Sequence, residues 1–168
     1  MKISNVNDIQ PEIYILVGLP GSGKSTWVNS KIRNSPISYD IVSSDNIIEK
    51  IAKKQNKTYS EVFVDNASYA NKQIWIDFKN AINSNHSIIW DQTNMSIKKR
   101  SDILRKVPEN YKKIAVVFNL DDDELIKRLD ARAKSEGKTI PSHIILNMKN
   151  QYQEPTKNEG FDDIIYVT

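Results

Sequence analysis

Nine residues near the start of the chain, Gly18-Leu19-Pro20-Gly21-Ser22-Gly23-Lys24-Ser25-Thr26, match the phosphate-binding pattern G-x-x-x-x-G-K-[ST]. The glycines let the backbone curl with its N–H groups turned inward. Those donors open a helix, where unpaired N–H groups and the helix dipole both favour an anion. Gly21, Ser22, Gly23, Lys24, Ser25 and Thr26 are therefore the expected nucleotide contacts. Lys24 would reach the β- and γ-phosphates, and the Ser25 hydroxyl would hold Mg²⁺. Asp45 is a second chemical candidate, a carboxylate that can take a proton from an attacking hydroxyl or hold Mg²⁺ through water. The segment Asp91-Gln92-Thr93-Asn94 is the third. Asp91 stands where an acid follows a hydrophobic strand in nucleotide sites, and Thr93 and Asn94 add donors and acceptors. The same residue types also make ordinary turns, and Asp91 also suits a structural arginine partner. Arg128 and Arg132 are four apart on a predicted helix and share a face. Two guanidinium forks beside a loop at about 134–141 suit charge stabilisation under a lid. Glu124 with Arg128 is equally an ordinary surface pair.

These residues need elements to position them. Ile13-Tyr14-Ile15-Leu16-Val17 reads as a buried strand leading into the glycine loop, and Ser25 to Arg33 as the helix after it. A second strand is predicted over 37–44, placing Asp45 at its end. Asn46 with Glu49 then opens a helix to about Lys54. A long helix follows over 61–83, a third strand over 86–90 and a helix over 96–106 with Ser96 as its cap. Strands are expected again over 113–118 and 163–168, with helices over 122–135 and 142–152. Strand–helix alternation with short apolar strands predicts an α/β fold, a mostly parallel five-stranded sheet flanked by helices with a small lid. Ligands bind beyond the carboxyl ends of such strands, where the candidate residues fall.

Composition narrows the class. With 168 residues, 39% hydrophobic and 27% charged, the chain suits a single domain over 1–168. It has no cysteine, which excludes disulfides, thiolate nucleophiles and Cys-based zinc sites and fits a cytoplasmic setting. The polar segment 1–10 lacks a signal-peptide core, and no apolar run approaches the ~20 residues of a membrane span. The net charge of +3 does not itself imply nucleic-acid binding. Lys98-Lys99-Arg100 with Arg105, Lys106, Lys112 and Lys113 forms a basic cluster in sequence, either a track for a nucleic-acid backbone or a solvated face. Trp27, Trp75 and Trp90 read as core.

Over about residues 13–152, the glycine loop, Ser44-Asp45, Asp91-Gln92-Thr93-Asn94, the segment Glu124 to Arg132 and Ile140-Pro141 occur in an order that resembles the phage-type polynucleotide 5′-hydroxyl kinase domain. The tail from Pro155 to Val167 looks like related P-loop kinases. The resemblance implies the P-loop kinase fold, ATP and Mg²⁺, and a nucleic-acid 5′ end as acceptor. Lys24 and Ser25 would bind the donor phosphates and metal, and Asp45 would be the general base. Arg132 would stabilise the transferring phosphoryl group, with Arg128 in support, and Asp91, Thr93 and Asn94 would lie on the acceptor side. The chain departs from the pattern at Ile48, where family members usually carry an arginine that grips the acceptor's 3′-phosphate. It also lacks a D-x-D-G-T motif, so no 3′-phosphatase domain is expected. A small-molecule kinase and a non-catalytic nucleotide switch remain the alternatives.

Overall fold

A computed structural model describes residues 9–168; the signal-free reading of the N-terminus falls largely on residues outside that range. Five strands form one parallel sheet: β1 (Glu12–Val17), β2 (Tyr39–Val42), β3 (Ser87–Trp90), β4 (Lys112–Phe118) and β5 (Asp163–Val167). Their order is β2-β3-β1-β4-β5, so the strand before the glycine loop is central. Ile13 pairs with Ile88 on one side and Lys113 on the other. The expectation of a mostly parallel sheet is met by pairings that are all parallel.

The central strands are apolar along their length because both sheet faces are covered. Ile13, Ile15, Ile88, Trp90 and Ala115 pack with Ile74 and Phe78 of α3 (Tyr59–Asn83) and Ile103 of α4 (Ile97–Leu104). The alternate residues Tyr14, Leu16, Ile89, Val116 and Phe118 pack on the other face with Trp27 and Val28 of α1 (Lys24–Asn34). Period-two alternation along each strand thus feeds two cores. Helix α2 (Ser44–Gln55) packs on α3 through Ile48, Ala52, Val62 and Ala70.

Two further helices, α5 (Asp122–Glu136) and α6 (Ser142–Asn150), flank the loop at 137–141. They are loosely anchored. Leu125 is the one buried residue of α5, and α6 has none. Such elements lie at the low-stability end of a fold. The loop expected at about 134–141 as a lid is confined to 137–141, because α5 stays helical through Glu136 and stops at Gly137, φ +63°.

The start of α2 also differs from the sequence reading. Ser43, not Asn46, is the cap, its hydroxyl accepting from the Asn46 N–H at 3.2 Å. Asp45 therefore sits within the first helical turn rather than at a strand end, where the positive end of the dipole favours its charge. The predicted cap of α4 at Ser96 is present. The long helix α3 starts two residues earlier than expected, from a Thr58–Glu61 capping box.

Candidate active site

The glycine loop leaves the carboxyl end of β1 and turns into α1 at Gly23, whose φ of +104° is a left-handed conformation that a side chain would strain. No side chain caps α1, so its first-turn N–H groups have no side-chain partner. That arrangement suits an anion. The Lys24 ammonium folds back on the loop and donates to the carbonyls of Gly18 and Leu19 at 2.9 and 2.8 Å. Desolvation pushes the Lys24 amine down to about 8, against the attraction of Asp91 and Asp45. A phosphate tail would supply the anion that this ammonium lacks.

Helix α5 lies directly across the loop. A Cβ added to Gly21 would stand 3.3 Å from Leu129 Cδ2, and one added to Gly23 would stand 3.6 Å from Arg128 Nη1. Arg128 also pairs with Glu124 at 2.9 Å, and Arg132 with Glu136 at 3.4 Å. Arg128 thus makes the surface pair with Glu124 while its guanidinium faces the loop.

The loop, the first turn of α2, the segment after β3 and α5 enclose one open cavity of about 1270 Å³. Gly21, Ser22, Gly23, Lys24, Ser25, Thr26, Asp45, Asp91, Thr93, Arg128 and Arg132 all line it. Asp91 is driven above the ordinary carboxylate range by desolvation, which outweighs the attraction of Lys24 and is reinforced by Asp45. Asp45 runs the other way. Desolvation raises it, but the Lys138 ammonium, hydrogen bonds from Lys138 and Tyr59, and Lys24 together hold it below its usual value.

Asn94 is the candidate that the structure withdraws from the rim. It is buried with φ +46°, and its amide donates to the Leu16 carbonyl at 2.7 Å. With the Gly18 N–H donating to the Thr93 carbonyl at 3.0 Å, it ties the 91–94 segment to the root of the glycine loop. Gln92 braces the other side: it accepts from Trp90 Nε1 and donates to the Ser44 hydroxyl, beside Asp45. The basic cluster does not survive as one surface. Arg100 is fully buried, paired with Glu159 and bonded to the carbonyls of Asn94, Met95 and Gln153. Arg105 pairs with Asp102, Lys106 covers the Trp75 ring, and Lys99 alone of the cluster lines the cavity. Ile48 is a core residue of the α2–α3 contact, so α2 offers no cation there. Sequence reasoning missed Lys138 and Tyr59, both of which contact Asp45.

The residues present fit a nucleotide and a divalent ion. The loop provides free amides and a desolvated ammonium. Ser25 is exposed in the cavity with its hydroxyl available. No group of three or more His, Cys, Asp or Glu suited to a metal occurs among the described residues. An ion here would draw on phosphate oxygens, water, the Ser25 hydroxyl and the Asp45 or Asp91 carboxylate in the same cavity.

A parallel sheet of this order with a glycine loop running from its central strand into α1 is a P-loop kinase fold. The chain belongs to the AAA domain family, whose model matches residues 13–155. It is 27% identical over 165 residues to human heterogeneous nuclear ribonucleoprotein U-like protein 2, covering 92% of this chain and 21% of that protein. It is 24% identical over 159 residues to the bifunctional polynucleotide phosphatase/kinase of Schizosaccharomyces pombe, covering 91% and 32%. The chain thus spans between about a fifth and a third of the length of these relatives. Among solved structures, a chain of the Pnkp1/Rnl/Hen1 RNA repair complex superposes with a TM-score of 0.68 at 28% identity, covering 96% of this chain and 49% of that one. No described helix is long and apolar enough to cross a membrane.

Proposed function

We propose that this chain is an ATP-dependent kinase that transfers a γ-phosphate to the 5′-hydroxyl of DNA or RNA. The observation that carries this reading is that Lys24 of α1, Asp45 of α2 and Arg132 of α5 line one cavity. The cavity exceeds the ~300–1000 Å³ of a typical single-ligand pocket, which suits a donor and an acceptor together. Similarity to a phosphatase/kinase of polynucleotides and to a chain of an RNA repair complex supports the acceptor class.

The chain's residues divide the work. The amides of Gly21 and of Gly23 to Thr26 and the Lys24 ammonium hold the donor phosphates, while the Ser22 N–H closes the loop onto the Leu19 carbonyl. Ser25 would hold Mg²⁺, which when bound offsets charge on the β- and γ-phosphates. Asp45 takes the proton of the acceptor hydroxyl as the acceptor oxygen bonds to the γ-phosphorus. The bond to the bridging oxygen breaks, and its electron pair leaves on ADP. Arg132 and Arg128 offset the charge that gathers on the transferring group. Positioning and charge, rather than covalent chemistry, supply the acceleration.

A small-molecule hydroxyl is the second reading. It draws on Ile48, buried where an acceptor-gripping cation would stand, and on the burial of Arg100 away from the surface. The test is transfer from γ-labelled ATP to a panel of 5′-hydroxyl DNA, 5′-hydroxyl RNA, nucleosides and sugars. Labelling of the oligonucleotides above the rest is expected. Labelling of a nucleoside or sugar alone would replace the polynucleotide reading with the second one.

A further inference from the structure

Lys138 is buried to 5% exposure in a loop whose other residues are partly or fully exposed. Its Nζ donates to Asp45 Oδ2 at 2.6 Å and lies 4.0 Å from Glu49 Oε1 and 4.3 Å from the centre of the Tyr59 ring. The Tyr59 hydroxyl donates to Asp45 Oδ1, also at 2.6 Å. Both carboxylate oxygens of Asp45 are therefore engaged. The neighbours of Lys138 dock in register with it. A Cβ at Gly137 would stand 2.7 Å from Thr58 Cγ2, and the Thr139 N–H donates to the Ser60 hydroxyl at 3.1 Å. Residues 137, 138 and 139 thus lie against residues 58, 59 and 60.

The two donors on Asp45 differ in their freedom to leave. Tyr59 opens α3, which a capping box and a buried face hold in place. Lys138 belongs to a loop between α5 and α6, which together bury one residue. An ordered helix start is hard to displace; a loop docked through polar contacts and small residues is not.

We propose that Lys138 is a positioning residue, a latch whose ammonium holds the half-exposed Asp45 carboxylate in an ion pair at Oδ2, so that the base is withheld from water until the acceptor lifts the 137–141 loop. This rests on Asp45 being the base of the proposed transfer. The latch suppresses hydrolysis, in which water would replace the acceptor: its oxygen bonds to the γ-phosphorus, its proton passes to Asp45, and the bond to the bridging oxygen breaks with its electron pair leaving on ADP. Each Asp45 oxygen accepts one of these bonds and keeps a second lone-pair site, so Lys138 holds the carboxylate by its charge and one hydrogen bond.

Two measurements on the full chain test this separately from the kinase reading. The first is amine labelling by reductive methylation, read by mass spectrometry. Lys138 is expected to react at least tenfold more slowly than exposed lysines such as Lys98, and the Asp45→Ala variant is expected to remove that protection. The second compares acceptor-independent ATP hydrolysis with transfer to a 5′-hydroxyl oligonucleotide. Lys138→Met is expected to raise hydrolysis relative to transfer by about tenfold, and Lys138→Arg to restore the wild-type ratio. Labelling of Lys138 as fast as Lys98 overturns the latch. So does an active Lys138→Met enzyme with an unchanged ratio. Slow labelling in a protein that transfers phosphate to no acceptor leaves the contact intact and overturns the kinase reading, and with it the role of the latch.

Discussion

Replacing Arg100 with methionine is expected to destabilise the fold more than any change on the exposed part of the basic cluster. The guanidinium is fully buried. It donates to both Glu159 oxygens at 2.8 and 3.1 Å, to the carbonyls of Asn94 and Met95 at 2.9 and 3.1 Å, and to that of Gln153 at 2.8 Å. Methionine keeps much of the volume and removes every donor. The Glu159 side chain, 7% exposed, then keeps its charge and loses its counter-ion. Breaking such a pair from one side costs about 3–5 kcal/mol. The Thr156 N–H still donates to Glu159 at 2.8 Å, which places the expectation toward the lower figure. For a chain of this length each kcal/mol lowers Tm by about 2–4 °C, so the fall should be roughly 6–12 °C. Calorimetry or circular dichroism on heating measures it. Glu159→Gln, which keeps the shape and drops the charge, should fall by less. A loss below about 3 °C for Arg100→Met would refute the reasoning that this cation is a structural bolt.

Three other expectations follow from the site. Lys24 titrates near 8 rather than at its ordinary value, so its buried charge costs stability fully below pH 8, and that cost is relieved as pH rises toward 10.5. Phosphate binding favours the charged amine, so the affinity for ADP without divalent ions should weaken above pH 8, approaching about tenfold per pH unit. Calorimetry in two buffers of different ionisation enthalpy should find close to one proton taken up at pH 9; no uptake would contradict it. Gly137→Ala forces a Cβ against Thr58, which its capping box holds in place, at a φ of +63°. It should cost about 1–2 kcal/mol of loop docking and speed hydrogen exchange at the Thr139 amide; unchanged exchange would dissociate that loop from α3. Asn94→Ala should cost about 1–3 kcal/mol by leaving the buried Leu16 carbonyl without its side-chain donor, seen as a lower denaturation midpoint.

Much of the fold was legible because its signals are local. A strand buried on both faces must be apolar throughout, and Ile13 to Val17 is. The glycine loop carries its own geometry in its residue types, and Ser96 marks the start of α4. The start of α2 was not legible: Ser43, Ser44, Asp45 and Asn46 are all good capping residues, and only the position of β2 selects Ser43. Arg100 looked like one more member of a charge run, since nothing near it announces a partner 59 residues away. Lys138 is equally silent, one lysine in a polar loop whose partner Asp45 lies 93 residues before it. Asn94 shows the converse error, a polar residue at a strand end whose amide serves the backbone. Local patterns locate elements; the pairing of buried charges is settled only when distant elements meet.

The central claim is that Asp45 serves as base toward a phosphate tail held by the Lys24 loop. Its most direct test measures ATP affinity and phosphoryl transfer side by side in the wild-type chain and in Asp45→Asn, using the 5′-hydroxyl oligonucleotide as acceptor. The account predicts that transfer falls by about 10²–10⁴-fold, the usual worth of a general base, while ATP affinity stays within about twofold. Transfer at the wild-type rate in Asp45→Asn would contradict it.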